Sequence, residues 1–274
     1  MRNTNISISC LALFILSLSF FGCDEIGEND RVKEIDRNNI NKTVLLEDFT
    51  GINCINCPQA HEAARKSKTI IGDNLVIVSI HAGPFATPNF KTEAGNAYQE
   101  RFYPTNDSYP MGIVSRCKFD GSITSVNFSK WNSYILERLF NPYFMDIDLE
   151  LKVNYSKEDK SFTVESLITP HSAIKDVKLQ LWITENRIIY PQMSEEGRIN
   201  NYEHNHVLRD AINGIWGESI EKNISMGSSK THTSQPYSLN GKSWTPENLS
   251  IIGFLYDSHT DEIIEVKEIE LIKQ

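Results

Sequence analysis

The sequence predicts a mixed fold, an α/β unit followed by an all-β sandwich, and three observations carry that expectation. A short apolar run, a CxxC pair and a helix-like stretch follow one another between Thr43 and Ile71. From Asp146 onward the pattern changes, and apolar residues alternate with polar ones. With 274 residues, 40% of them apolar and 10% aromatic, the chain has material for two medium cores rather than one.

The amino terminus carries an address. Arg2 precedes an apolar run from Ile6 to Phe21, too short to span a bilayer and ended by Gly22 and Cys23. Residues 1–22 therefore read as a secretory signal. The Gly22-Cys23 junction resembles a bacterial lipobox, which implies cleavage before Cys23 and acylation, with palmitate-like chains, of that residue. Phe20 and Phe21 stand where a lipobox more often has Leu and a small residue, so an ordinary signal cut nearby is the alternative. Each buried methylene contributes about 0.8 kcal/mol, so several acyl chains hold a protein on a membrane without a spanning helix. The expected location is the cell envelope, anchored by lipid to the outer membrane, with the leaflet open. Residues 23–41 are charged and Asn-rich, and they read as a flexible tether. The net charge of −9 supplies no basic face for a phosphate backbone, which sets nucleic acid aside as a partner.

The first folded unit is expected over residues 42–142. Thr43 to Phe49 forms a strand; Thr50 and Gly51 turn the chain into Cys54-Ile55-Asn56-Cys57-Pro58, and Gln59 to Ile71 continues as a helix. Cysteines at i and i+3 in a first helical turn lie within disulfide reach. The leading sulfur, Cys54, meets unpaired N–H groups and the positive end of the helix dipole, which acidifies a thiol and makes it a nucleophile. Pro58 is tolerated because the first N–H groups of a helix have no intrahelical acceptor. Leu75 to Ile80 is a continuous apolar run, as expected of a buried parallel strand. Val126 to Asn141 spaces Phe128, Trp131, Ile135 and Leu139 at helical intervals and closes the unit with an amphipathic helix.

This arrangement resembles the thioredoxin superfamily. The resemblance implies that Asp48, six residues before Cys54, is the buried carboxylate that moves the proton of Cys57. It also implies that Pro110, in Tyr109-Pro110-Met111-Gly112, is a cis-proline beside the active-site disulfide, where an incoming peptide pairs as an added strand. Asn53 replaces the usual Trp, Ile55-Asn56 replaces Gly-Pro, and His81 to Ser108 is a longer insertion than thioredoxin carries. Two other readings of the CxxC remain open. It could be half of a zinc site with His61, although no second CxxC exists, or a purely structural disulfide. No metal or other cofactor is expected. Cys117 reads as a small buried core residue.

The second unit is expected over residues 143–274. Ile147, Leu149, Leu151, Val153 and Tyr155 alternate up to a turn at Lys157 to Lys160, and Phe162 and Val164 follow. Further runs at Val177 to Thr184, Ser250 to Tyr256 and Ile263 to Ile272 complete an antiparallel, immunoglobulin-like sandwich of about seven strands. The stretch 186–217 is far longer than a hairpin loop. It is expected to pack on the first unit as an interaction loop, with Tyr202 and Trp216 as anchors and His204, His206 and Arg209 among its polar residues. Extended backbone would put His204 and His206 on one face, a possible metal pair without clear further ligands.

The whole mature chain is similar to the Bacteroidota outer-membrane lipoprotein family named after a twenty-eight kilodalton member. The carrying stretches are Leu46 to Gly51 with Cys54 to Pro58, Tyr109 to Gly112, Asn201 to Arg209 and Asn213 to Glu218. The resemblance implies a thioredoxin-like domain followed by an immunoglobulin-like one. The function expected is thiol–disulfide exchange on extracytoplasmic proteins, with protein thiols or disulfides, and an envelope redox protein, as partners. The alternative is a non-enzymatic surface adhesion lipoprotein whose Cys54–Cys57 bridge is a staple.

Overall fold

In a computed structural model of the chain, residues 42–106, 108–119, 125–140, 146–220 and 223–273 are described. The expected signal segment, the expected lipidation site Cys23 and the expected tether lie outside them. The first part runs β1 (Val44–Thr50), α1 (Cys57–Ile71), β2 (Leu75–His81), α2 (Glu93–Phe102), β3 (Met111–Val114), β4 (Ser125–Asn127) and α3 (Trp131–Phe140). The second opens with β5 (Ile147–Ser156), β6 (Ser161–Pro170), β7 (Ile174–Lys175), β8 (Val177–Glu185), β9 (Ile188–Ser194), β10 (Gly197–His204) and β11 (Val207–Ala211). It ends with β12 (Glu218–Ser219), β13 (Asn223–Ile224), β14 (Lys230–Thr233), β15 (Tyr237–Ser238), β16 (Leu249–Asp257) and β17 (Ile263–Glu270).

Every residue of β1 and β2 is buried, which is what a parallel pair covered on both faces requires. Asp48, Ile77, Ser79 and His81 point toward α1 and share a cavity with it. Leu45, Phe49, Val78 and Ile80 point the other way into a core that includes Ala94 and Tyr98 of α2. The helix expected over 126–141 is shorter. Val126 pairs with Gly112 in the sheet, and the Asn127 side chain accepts the Ser129 N–H, so the helical turns start only after it.

Strands β5 and β6 form a long hairpin whose inward residues, Ile147, Leu149, Phe162, Val164 and Ile168, pack on Leu179, Leu181, Ile183, Ile251 and Leu255 of β8 and β16. This is the alternation seen in the sequence, with apolar side chains meeting between layers.

The sequence places a unit boundary near residue 143, but the sheet does not stop there. Its order is β17-β16-β8-β11-β2-β1-β3-β4, with β12 beside β8. Strand β11 lies antiparallel to β8 and meets β2 in parallel, with Val207 opposite Ser79 and the Ser79 N–H donating to the His206 carbonyl at 2.8 Å. Joining the edges of β2 and β8 through β11 removes two open strand edges, which separate domains would each leave unpaired. The described residues of both parts accordingly belong to one compact unit. The stretch 186–217 is strand rather than loop for much of its length: β9 and β10 make a hairpin and β11 enters the sheet. The fold is mixed α/β with a large share of sheet.

Candidate functional site

The turn after β1 delivers the two sulfurs. Gly51 accepts the Cys54 N–H at 3.0 Å, Asn56 accepts the Gln59 N–H at 3.2 Å, and α1 begins at Cys57 with Pro58 in its first turn. Cys54 and Cys57 form a disulfide with their Cα atoms 5.4 Å apart. Cys57 is fully covered, whereas Cys54 keeps 3% of its surface exposed, so what solvent contact the pair retains lies at the leading residue. The Tyr109-Pro110 bond is cis, Pro110 is buried, and Tyr109 belongs to the buried cluster that contains both cysteines.

Asp48 sits in β1 opposite Gly112 on one side and Ser79 on the other, only 1% exposed, and its Oδ1 has no hydrogen-bond partner. Burial pushes its carboxyl up to about 8. Its Oδ2 lies 3.5 Å from His61 Nε2, on the second turn of α1. That nitrogen is 2.9 Å from Thr50 Oγ1, and the opposite ring nitrogen, Nδ1, is 2.7 Å from the Tyr202 hydroxyl. Burial, and then the neighbouring His204 and His206, pull His61 down to about 3. Burial holds His204 and His206 near about 4 and His81 well below the ordinary range. All four imidazoles are therefore neutral near pH 7. A cavity of about 320 Å³ runs between α1, β2 and the end of β10, with Asp48, His61, Tyr202 and His204 on its wall.

Two segments roof the disulfide turn. From the insertion after β2, Phe85 accepts the Asn53 N–H at 3.0 Å. From β9, the Gln192 amide donates to the carbonyls of Cys54 at 2.9 Å and Gly51 at 3.3 Å, and the Met193 N–H donates to Ile52 O at 2.8 Å. A Cβ on Gly51 would stand 2.4 Å from the Phe85 carbonyl carbon, so only glycine admits this approach. Gly51→Ala is expected to lower stability by about 1–3 kcal/mol, as overpacking of a dense site does. It is also expected to speed reduction of the Cys54–Cys57 bond by dithiothreitol, because the roof must lift; urea unfolding and thiol titration measure the two effects.

The remaining residues singled out in the sequence separate. Tyr202, His204 and His206 line the cavity, but His206 adopts a left-handed φ of 58° at a turn, so the pair does not share the face of one extended strand. Among the described residues no group of three His, Cys, Asp or Glu side chains is placed to hold a metal ion. Arg209 points elsewhere, 3.3 Å from Glu185 and over the Trp244 ring. Trp216 packs edge-on against Tyr98 of α2, with its ring 5.4 Å away. Cys117 is buried, and burial pushes its thiol up to about 12.

Sequence reading missed Glu47, Arg116, His81 and the bridging place of His61. The signal was present: Glu47 and Asp48 interrupt an otherwise apolar strand, and a charge in a buried strand demands a partner.

A family model described as outer membrane protein Omp28 matches residues 96–274, a span that begins beyond the CxxC pair. Among solved structures, HBP35 of Porphyromonas gingivalis is 17% identical with a TM-score of 0.63, over 84% of this chain and 75% of that one. A domain of the outer membrane lipoprotein Omp28 from Porphyromonas gingivalis is 22% identical with a TM-score of 0.32, over 47% of this chain and 91% of that one. The likeness to HBP35 is one of fold. A search of curated proteins returns no match.

Proposed function

The chain belongs to the outer membrane protein Omp28 family, and from that premise we propose that it is a lipid-anchored envelope protein whose Cys54–Cys57 pair exchanges disulfides with other proteins. In this reading residues 1–22 are the signal, Cys23 carries the lipid and residues 23–41 form the tether. Residues 42–142 act as a thioredoxin-like part and 143–274 as an immunoglobulin-like one. The proposed attachment is the acyl chains on Cys23; no helix among the described residues is long and apolar enough to cross a membrane.

The observation that carries the reading is Asp48. A carboxyl buried within the strand that feeds the CxxC turn, with one oxygen lacking any hydrogen-bond partner, is costly, of order 1–3 kcal/mol for an unsatisfied polar group, and a structural bridge has no use for it. An exchange centre does have a use for it. Cys54, at the start of the turn and the less covered of the two, forms the mixed disulfide with the partner. Cys57 then gives its proton to Asp48 and attacks the Cys54 sulfur, which releases the partner's thiolate and closes the Cys54–Cys57 bond. Pro110 supplies the backbone beside the pair for docking an extended segment.

A second reading rests on the small exposure of Cys54: a surface adhesion protein with a structural Cys54–Cys57 bridge. One variant separates the two. With Cys57→Ala, Cys54 has no resolving partner, and mixed disulfides with envelope proteins are expected to accumulate on non-reducing gels and to disappear with Cys54→Ala. A Cys57→Ala chain that stays monomeric in the envelope, together with a wild-type bridge that resists reduction by thioredoxin-like proteins, favours the adhesion reading.

A further inference from the structure

An acid that takes a proton in a buried place has to be unloaded before it can work again. Asp48 is 1% exposed, its Oδ1 meets no partner, and its Oδ2 faces His61. The two nitrogens of that ring point in opposite directions, Nε2 toward Asp48 and Thr50, and Nδ1 toward the hydroxyl of Tyr202, which comes 141 residues later from the β9–β10 hairpin. The His61 side chain is 18% exposed, and it lies on the cavity wall together with Tyr202. The hairpin that roofs the disulfide thus also supplies the outer end of a chain of exchangeable protons.

We propose that His61 and Tyr202 form a proton relay between Asp48 and solvent, which sets how fast Cys57 can close the disulfide. The relay rests on the exchange reading above. Both residues act through Asp48 and are positioning residues rather than catalytic ones.

The reduced centre reacts with dithiobis(nitrobenzoate) in two steps. The Cys54 thiolate breaks the reagent's S–S bond, forms a mixed disulfide and releases one thionitrobenzoate. Cys57 passes its proton to the Asp48 carboxylate, its thiolate attacks the Cys54 sulfur, and the second thionitrobenzoate leaves. Two cysteine thiols have been oxidised to one disulfide, and the reagent's disulfide has been reduced to two thiolates. The proton on Asp48 moves to His61 Nε2 while the Nδ1 proton moves to the Tyr202 oxygen and the Tyr202 proton leaves to water. Loss of the Nε2 proton to water at the partly exposed ring, and uptake of one proton from water through Tyr202 onto Nδ1, restore the starting tautomer with no net change.

The surroundings suit a neutral relay. Burial keeps Asp48 protonated up to about 8, so near pH 7 it must lose a proton before it can accept one from Cys57. Burial also keeps His61 from holding a full charge, which favours a concerted hop, and pushes Tyr202 up to about 12, so its hydroxyl keeps its proton. From β2, the end of β10 and the turn after it, His81, His204 and His206 face the cavity uncharged near neutral pH. Glu62, Arg65 and Lys68 of α1 and Glu203 of β10 also line it. Tyr109, raised by burial and by Asp48 among its neighbours, faces the acid from the loop before β3.

The test is stopped-flow release of thionitrobenzoate from the pre-reduced full chain, with a Cys54→Ala/Cys57→Ala double variant setting the background from the other thiols. His61→Gln and Tyr202→Phe are expected to leave the first release unchanged and to slow the second about 100-fold at pH 7, the low end for loss of a positioned proton carrier. In those variants the second release should depend on buffer concentration, and imidazole should restore it in His61→Ala. A second release at the wild-type rate and independent of buffer in all three variants overturns the relay while leaving the exchange reading standing. A wild-type chain that releases fewer than two equivalents above background overturns both.

Discussion

Replacing Glu47 with alanine is expected to lower the stability of the folded chain by about 3–5 kcal/mol, the cost of leaving one member of a buried ion pair behind. Glu47 is fully covered, and its carboxylate oxygens accept from Nε and Nη2 of Arg116, both at 2.9 Å. The guanidinium is 4% exposed as a residue and lies among the rings of Phe102 at 4.5 Å, Phe254 at 5.1 Å and Tyr98 at 5.5 Å. Burial pulls Arg116 down, and the adjoining Glu47 carboxylate more than reverses it. Without Glu47 the aromatic faces alone oppose the desolvation of the cation, at about 0.5–2 kcal/mol each, and they cannot supply two directed acceptors. Because Phe254, and Trp182 whose ring lies 5.7 Å from the guanidinium, come from the second half of the sequence, the loss should loosen the seam between the halves as well as β1. Urea unfolding checks the magnitude. The double change Glu47→Leu with Arg116→Met should recover most of the loss, since two apolar groups leave no orphan charge. A single Glu47→Ala effect below 1 kcal/mol contradicts the assignment.

Stability is also expected to peak near pH 6.5 and to fall by about 2 kcal/mol between pH 6.5 and 8. Two sets of groups oppose each other. The folded imidazoles of His61, His204 and His206 titrate at about 3, 4 and 4 against an ordinary 6.5. Unfolding therefore takes up protons below 6.5, and stability rises with pH across that range. Asp48 has the other sign. Its folded carboxyl titrates near about 8 against an ordinary 3.8, so between those values the folded chain holds a proton that the unfolded chain releases, and stability falls as pH rises. Below 6.5 the histidines outweigh the single acid; above it Asp48 acts without them, until its own titration ends near 8. Burial raises Glu185, Glu265 and Glu268 as well, with the same sign. The clean comparison is therefore wild type with Asp48→Asn, which should be the more stable protein at pH 8 and lack much of the decline. Chemical denaturation at half-unit steps from pH 5 to 9 measures this. An Asp48→Asn protein no more stable than wild type at pH 8 means that the folded carboxyl ionises without penalty.

Much of the site was legible in the chain. The order of strand, CxxC and helix follows from local pattern, since a buried apolar run, a glycine turn and a proline in a first helical turn each restrict their own backbone. The observed β1 and α1, Val44–Thr50 and Cys57–Ile71, differ from the expected spans by only a residue or two at their ends. The β5–β6 hairpin was legible for the same reason, because period-two alternation reports which side chains share a face. His61 was visible only as a third zinc ligand. Its place one turn beyond Cys57 was plain, but nothing nearby in sequence says that a tyrosine from a distant hairpin meets its other nitrogen.

The residue order by itself determined the short-range features: the amino-terminal apolar run, the disulfide reach of Cys54 and Cys57, and two acids side by side in an otherwise apolar run. Which partners those acids found, Arg116 across the sheet and His61 from the helix, was decided only when the strands assembled. Tertiary structure alone likewise turned the stretch 186–217 from an expected loop into the hairpin above the disulfide and the strand that welds both halves into one sheet. The physical reason is that alternation and helical spacing encode which face a side chain takes, while the neighbour it meets there depends on strand order and register, which are set by pairing edges and filling cores between segments far apart in the chain.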